Sequence, residues 1–182
     1  SITVASDTET GLYRISANTV GFAANGVLVY RYDANGLTIP TGAANGPGRI
    51  SMESFDRNVC IGSFTCDSVT TGNQNVAVGQ NTFTNNTTGS VNTAVGRQAL
   101  RLNTEGNNNS AYGVEAMQAN TTGSNNTAIG YGAITAGATA SNSVALGMQA
   151  LQFTTGDQNT AVGWRAMKAA TSGGTNTAVG SQ

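Results

Sequence analysis

One five-residue block recurs along the chain from Asn58 to the end, and its spacing is nearly constant. Each block closes in a glycine, and these block glycines are Gly62, Gly79, Gly96, Gly113, Gly130, Gly147, Gly163 and Gly180. Successive block glycines are 17 residues apart, except for the 16-residue step from Gly147 to Gly163. A unit this short has no core of its own and becomes stable by stacking on its copies. The repeat therefore predicts that residues 58–182 form a parallel β-solenoid, or β-roll, of about eight rungs.

The blocks follow the pattern Asn-Thr-Ala-Val-Gly, which suits a short strand whose side chains point alternately to two sides. The residue before each block glycine is Ile, Val, Tyr or Leu, so it is predicted to face the core. The residue two before the glycine is Ala in seven blocks and Cys in one, which predicts close approach of another subunit or arm. After the glycine, runs such as Gln98-Ala99-Leu100-Arg101 predict a short helical turn, with a second short strand as the alternative.

An asparagine opens seven of the eight blocks, at Asn58, Asn75, Asn92, Asn109, Asn126, Asn159 and Asn176. Stacked asparagine side chains can hydrogen-bond to one another and to turn backbone, which makes a structural role the favoured interpretation. Ligand binding by this column is the alternative.

Residues 1–57 have a different character and are predicted to be a separate β-rich segment. Ala-Asn-Gly recurs from residues 24, 34 and 44, between short β-prone runs, which indicates β-hairpins. Hairpins this small bury too little surface to be stable alone and leave open strand edges. We therefore expect three chains to intertwine as a homotrimer, with a shaft-like segment at 1–57 and the solenoid at 58–182.

The composition argues against catalysis and against nucleic-acid binding. Only 9% of residues are charged and histidine is absent, so the chain lacks the basic surface that nucleic acid requires and the commonest general base. No apolar run is long enough to cross a membrane as a helix, so no membrane insertion is expected. The carboxylates are scattered, and no phosphate-binding loop is present. We expect no enzyme, with no catalytic, cofactor or metal site.

Cys60 and Cys66 are the only cysteines. Cys60 occupies the small position of its block and Cys66 an apolar position of the repeat, so both are predicted to be buried core thiols. A disulfide and a metal site are the less favoured alternatives.

The residue that follows each block glycine varies more than its neighbours and includes Arg97, Tyr131 and Trp164. Aromatic rings beside Arg97 and Arg165 suit stacking on sugars and hydrogen bonding to their hydroxyls. Two interpretations stay open for Arg97, Tyr131, Trp164 and Arg165: a receptor-binding surface, or packing between subunits.

The repeat resembles known attachment proteins. The run Thr122–Ala133, Thr-Gly-x-x-Asn-Thr-Ala-Ile-Gly-Tyr-x-Ala, resembles repeats of bacteriophage tail-fibre proteins. Asn142–Gly147 is similar to the head repeats of trimeric autotransporter adhesins of the YadA type, and Thr10–Ile15 resembles phage fibre shafts. The resemblance implies a homotrimer, a left-handed parallel β-roll in the adhesin group, and attachment to a host surface.

The expected function is therefore that of a structural tail-fibre component of a virion. Its partners would be a host cell-surface glycan or protein receptor and other tail-fibre or virion proteins. An adhesin head at a bacterial cell surface and a passive spacer without its own receptor site are the alternatives. An ice-binding solenoid is a further alternative, because Thr pairs recur at the turns, but their position at bends disfavours it. A polysaccharide-degrading spike is another, and the scattered carboxylates disfavour that one.

Overall fold

The computed structural model describes residues 10–16, 19–24, 27–33, 36–39, 48–53, 57–169 and 172–182, with side chains described from residue 57 onward. These segments contain thirteen strands that form one sheet in chain order. The protein is mainly β, as the sequence predicts.

The first five strands are antiparallel neighbours. They are β1 (Thr10–Ser16), β2 (Thr19–Ala24), β3 (Val27–Asp33), β4 (Gly36–Ile39) and β5 (Gly48–Glu53). The predicted hairpin turns at 25–26, 35 and 45–46 lie outside the described residues.

The solenoid strands run in parallel, as predicted from the repeat. They are β6 (Asn58–Ser63), β7 (Val76–Val78), β8 (Thr93–Val95), β9 (Ser110–Tyr112), β10 (Thr127–Ile129), β11 (Val144–Leu146), β12 (Thr160–Val162) and β13 (Thr177–Val179). They build a β-solenoid of about seven turns, and we number the rungs from one, at β6, to eight, at β13. β5 pairs antiparallel with β6 and so covers the strand edge of rung one.

The small residue of each block faces the interior of its own rung. Of the two predicted contacts, the one with another subunit is wrong, and the close neighbour is another segment of the same chain. Ala77 and Ala94, which pair in register, have no exposed surface. The opposite wall of rungs two to six sends a larger apolar side chain into the same space, such as Phe83 or Leu100, also fully buried. Because that side chain fills the narrow interior, the strand wall has room only for alanine or cysteine.

The residue before each block glycine faces outward, which corrects the prediction that it lies in the core. Ile129 and Leu146 are 40% and 44% exposed, while Ala128 and Ala145 beside them are buried. Alternation along a strand fixes two sides without saying which is inside. The interior is the side of the strand toward which the opposite wall directs its larger apolar side chains.

The segment after each block glycine is a chain of turns, neither helix nor strand, which corrects both sequence-based options. Gln98 and Leu100 have positive φ angles of 62° and 49°, with Ala99 between them. Reversing the backbone in this way points the N–H groups of Gln98 and Leu100 along the solenoid axis in opposite directions, whereas Ala99 N–H donates to Gly96 O of its own rung. Gln98 N–H donates to Gln80 O in the preceding rung, and Leu100 N–H donates to Ala116 O in the next. Backbone pairing between rungs thus continues through the turns.

The block glycine is required where the chain leaves the strand. Gly79 has a φ of 139°, in the region that favours glycine. A Cβ on this residue would lie 2.7 Å from Gly96 O of the next rung. The close stacking of rungs at this corner therefore excludes a side chain.

Candidate functional site

The asparagine column is bonded within the solenoid. Asn75 is fully buried, and its backbone N–H donates to Asn58 Oδ1 at 2.9 Å. Its own Nδ2 donates to Gly89 O at 3.0 Å, across the turn of the same rung. Asn92, Asn109 and Asn126 repeat this arrangement from rung to rung. These side chains tie rungs together and close turns, which is how a structural column behaves.

A second buried asparagine column lies in the turns of rungs two to four, and the sequence analysis did not single it out. It comprises Asn86, Asn103 and Asn120. Asn103 Nδ2 donates to Asn86 Oδ1 at 2.8 Å and to Gly106 O three residues on. The signal for it was the spacing of an asparagine three residues before the turn glycine.

Rung five breaks this pattern with two matched exchanges. Gly137 stands where rungs two to four have asparagine, and Ala140 stands where they have glycine. A Cβ on Gly123 would meet two atoms, Ala140 O of the next rung and Asn120 Oδ1 of its own rung. The absence of the asparagine from rung five removes the second of these obstacles, but it also leaves Asn120 Oδ1 buried without a hydrogen-bond partner.

Cys60 and Cys66 form a disulfide, so the prediction of two free core thiols is wrong. Both positions were assigned to the interior by the repeat, and Cys60 is indeed buried. The two residues belong to opposite walls of rung one, with Cα atoms 6.2 Å apart. In the rungs that follow, the narrow interior holds an alanine opposite a larger apolar residue. In rung one, the same short distance between the two walls lets the two sulfur atoms bond.

The outward side of the solenoid strands is a continuous uncharged strip, which we call the outer face. It comprises the residues three before and one before each block glycine: Val59, Ile61, Val76, Val78, Thr93, Val95, Ser110, Tyr112, Thr127, Ile129, Val144, Leu146, Thr160, Val162, Thr177 and Val179. None of these positions carries a charge. Val76, Tyr112, Val144 and Leu146 are among the exposed large hydrophobic residues of the chain. Exposed apolar surface of this extent is typical of a protein–protein contact.

Three exposed side chains follow the block glycines of rungs five to seven, and we call them the aromatic row. They are Tyr131, Met148 and Trp164, with exposures of 48%, 42% and 43%. Gln149 N–H donates to Tyr131 O and Arg165 N–H donates to Met148 O, so the three backbones are direct neighbours. Met148 was not among the predicted site residues. Its position in the repeat, between those of Tyr131 and Trp164, is the signal that could have identified it.

Of the four predicted receptor-binding residues, the structure places Arg165 against Trp164, with Tyr131 in the same row. The Arg165 guanidinium lies over the Trp164 ring, 4.6 Å from its centroid, and Tyr131 is two rungs away. Arg97 belongs to rung three and pairs with Glu115 at 3.2 Å, so it stands apart from that group.

The threonines of the turns are engaged with backbone. Thr87 and Thr104 hydroxyls donate to the Thr104 and Thr121 carbonyls of the next rung, at 3.1 and 3.2 Å. These hydroxyls therefore hold turns in register.

Among residues 57–169 and 172–182, no group of three His, Cys, Asp or Glu side chains is placed to hold a metal ion. Within the described chain, no helix has the length and apolar character needed to cross a membrane.

No family model, no curated protein and no solved structure matches this chain.

Proposed function

We propose that this chain is a structural segment of a homotrimeric fibre, of the kind found in bacteriophage tails, that attaches a virion to its host surface. The outer face is the observation that carries the proposal. The strip is uncharged along every rung and carries one Val, Ile, Leu or Tyr in each, just before the block glycine, and such side chains are costly to leave in water.

The occupant of the outer face is further copies of the same chain. Its two columns repeat from rung to rung without charge, so identical strips can pack in parallel with no charge left unpaired. The exposed side chains, such as Ile129 and Leu146, are of the type that fills subunit interfaces. Three copies, rather than two, follow from the resemblance to trimeric fibres and adhesin heads.

Attachment is assigned to the aromatic row with Arg165. Aromatic rings stack on sugar faces, and a guanidinium donates to their oxygen atoms. Three copies present three such surfaces on one rod, so weak individual contacts with a repetitive host glycan combine into firm binding. Other tail-fibre or virion proteins would be the remaining partners of the segment.

Mass in solution is the first test of the assembly. Light scattering at several concentrations should give three times the 18.4 kDa of the chain, independent of dilution. A Leu146→Asp variant places a charge on the outer face and should lower the mass toward that of one chain. The matched control is Gln80→Asp, which adds a charge to an exposed position outside the outer face. A monomeric wild-type chain at every concentration would overturn the trimer.

Attachment itself is tested by incubating the labelled trimer with candidate host cells. The proposal predicts saturable binding that Trp164→Ala weakens while the trimer mass is unchanged. A trimer that binds none of the cells on which its virion grows would be a passive spacer, and the attachment role would be wrong.

A further inference from the structure

We infer that the aromatic row and Arg165 bind an acidic polysaccharide, extended parallel to the solenoid axis, with its carboxylates directed to Arg165. This inference rests on the proposed function and names the ligand class of that surface.

The direction of the ligand follows from the stacking of rungs. Tyr131 and Trp164 are separated by two rungs, or about 10 Å along the axis at the spacing of neighbouring strands. Met148 fills the intervening rung with an exposed, adaptable apolar side chain. The row is therefore a straight apolar strip with a ring at each end, which suits successive sugar units of one chain.

The acidity of the ligand follows from how Arg165 is held. Gln149 Oε1 accepts a hydrogen bond from Arg165 Nε at 2.8 Å, and the guanidinium lies over Trp164. One of the five N–H donors of the guanidinium is thereby used, and the fork is fixed beside the ring. Guanidinium groups prefer carboxylates and bind them through two donors at once.

Arg165 forms no ion pair with a carboxylate of the described residues. Among residues 57–169 and 172–182, the ion pair in the structure is Arg97 with Glu115, so no carboxylate of the described chain pairs with Arg165. Lys168, in the same rung, lies 5.9 Å from the Phe153 ring and adds a second positive charge to rung seven. Rung seven and its neighbours therefore combine exposed aromatic rings with two positive charges. The charge of Arg97, by contrast, is balanced by Glu115.

Trp164 is the only tryptophan in the chain, so its fluorescence reports on this surface directly. The trimer is titrated with oligogalacturonate and with oligosialate, each compared with its neutral methyl ester. We expect at least one acid to shift or quench the Trp164 emission and to bind about tenfold more tightly than its ester. Raising the salt concentration should reduce that difference, because it depends on charge.

Variants separate the charge from the stacking surface. Arg165→Gln should bring the dissociation constants of acid and ester to within about twofold, since it retains a polar side chain but loses the charge. Gln149→Ala should weaken binding of the acid less than Arg165→Gln does, because Gln149 positions the guanidinium and does not touch the ligand. Arg97→Gln is the control and should change neither constant. Light scattering checks that each variant keeps the wild-type mass.

The outcomes distinguish this inference from the proposed function. Equal binding of acids and esters, or no response of Trp164 to either acid, would overturn the acidic ligand; if the same trimer still binds host cells, the attachment role stands. A chain that is monomeric and does not bind cells would remove the proposed function and the inference with it.

Discussion

Cys60 in β6 is bonded to Cys66 in the following turn, and this disulfide crosses the interior of rung one. In the rungs that follow, an alanine in the strand wall faces a larger apolar residue in the turn wall, as Ala77 faces the space filled by Phe83. The disulfide thus replaces an apolar contact at the end of the stack. Rungs one and eight are the two rungs that have a solenoid neighbour on one side only, and the disulfide lies in the first of them.

Replacing both cysteines by the repeat's own residues should preserve the fold. We expect Cys60→Ala with Cys66→Leu to cost about 1–2 kcal/mol of unfolding free energy, because the bridge closes a short loop while the leucine restores apolar filling. Hydrogen exchange should show faster opening confined to rung one, since each rung contacts only its neighbours. The comparison is Cys60→Ala with Cys66→Ala, which should lose about 2 kcal/mol more by leaving a cavity. Equal stability of the two double variants would contradict this account.

The asparagine column predicts a difference between two substitutions at one position. Asn92→Ala leaves Asn109 N–H without a partner, whereas Gly106 O, which Asn92 also contacts, still accepts a hydrogen bond from Asn103 Nδ2. An unpaired buried donor costs about 1–3 kcal/mol, so the variant should lose about that much free energy of unfolding in urea. Asn92→Ser should be milder, because Ser143 occupies this column in rung six and its Oγ accepts from Asn159 N–H at 3.2 Å. The column is not structural if both variants match the wild type.

The interior should be intolerant of changes in size in either direction. Leu100→Ala removes a fully buried side chain and should cost about 2–5 kcal/mol through the cavity that remains. Ala94→Leu forces a larger side chain into the filled interior and should cost about 1–3 kcal/mol or more. Gln80→Ala, at an exposed position outside both the interior and the outer face, is the control and should stay within about 0.5 kcal/mol of the wild type. Urea midpoints measure all three, and a tolerated Ala94→Leu would disprove the tight interior.

The exchanges in rung five predict energetic coupling between Gly137 and Ala140. Gly137→Asn alone places a Cβ near the Ala140 methyl and 2.8 Å from Thr154 O, and Ala140→Gly relieves only the first contact. The Thr154 contact is the same in the single and double variants, so its cost cancels from the cycle. The double variant restores the pair found in rungs two to four and offers Asn120 Oδ1 a donor. A double-mutant cycle should therefore show a favourable coupling of about 1–3 kcal/mol. Strict additivity of the two single changes would show that these positions do not share the same space.

Several features of the solenoid follow from the sequence because they depend on the repeat alone. Blocks 17 residues apart must stack in register, so Ala94 pairs with Ala77 and with Ala111 in parallel strands. The variable row after the block glycines was also identifiable, and it contains Tyr131 and Trp164. The ion pair of Arg97 with Glu115 was not, since it depends on how two side chains of neighbouring rungs are placed.

The rung length, the parallel register and the columns of equivalent residues follow from the repeat alone, because a short repeat can bury its backbone only against its own copies. Which side of each strand is the interior depends on how the two walls of a rung pack together. Alternation leaves that choice open, and the turn wall settles it by filling the space with residues such as Leu100, so that only alanine fits opposite. The same geometry joined Cys60 to Cys66 and left Ile129 and Leu146 on the surface.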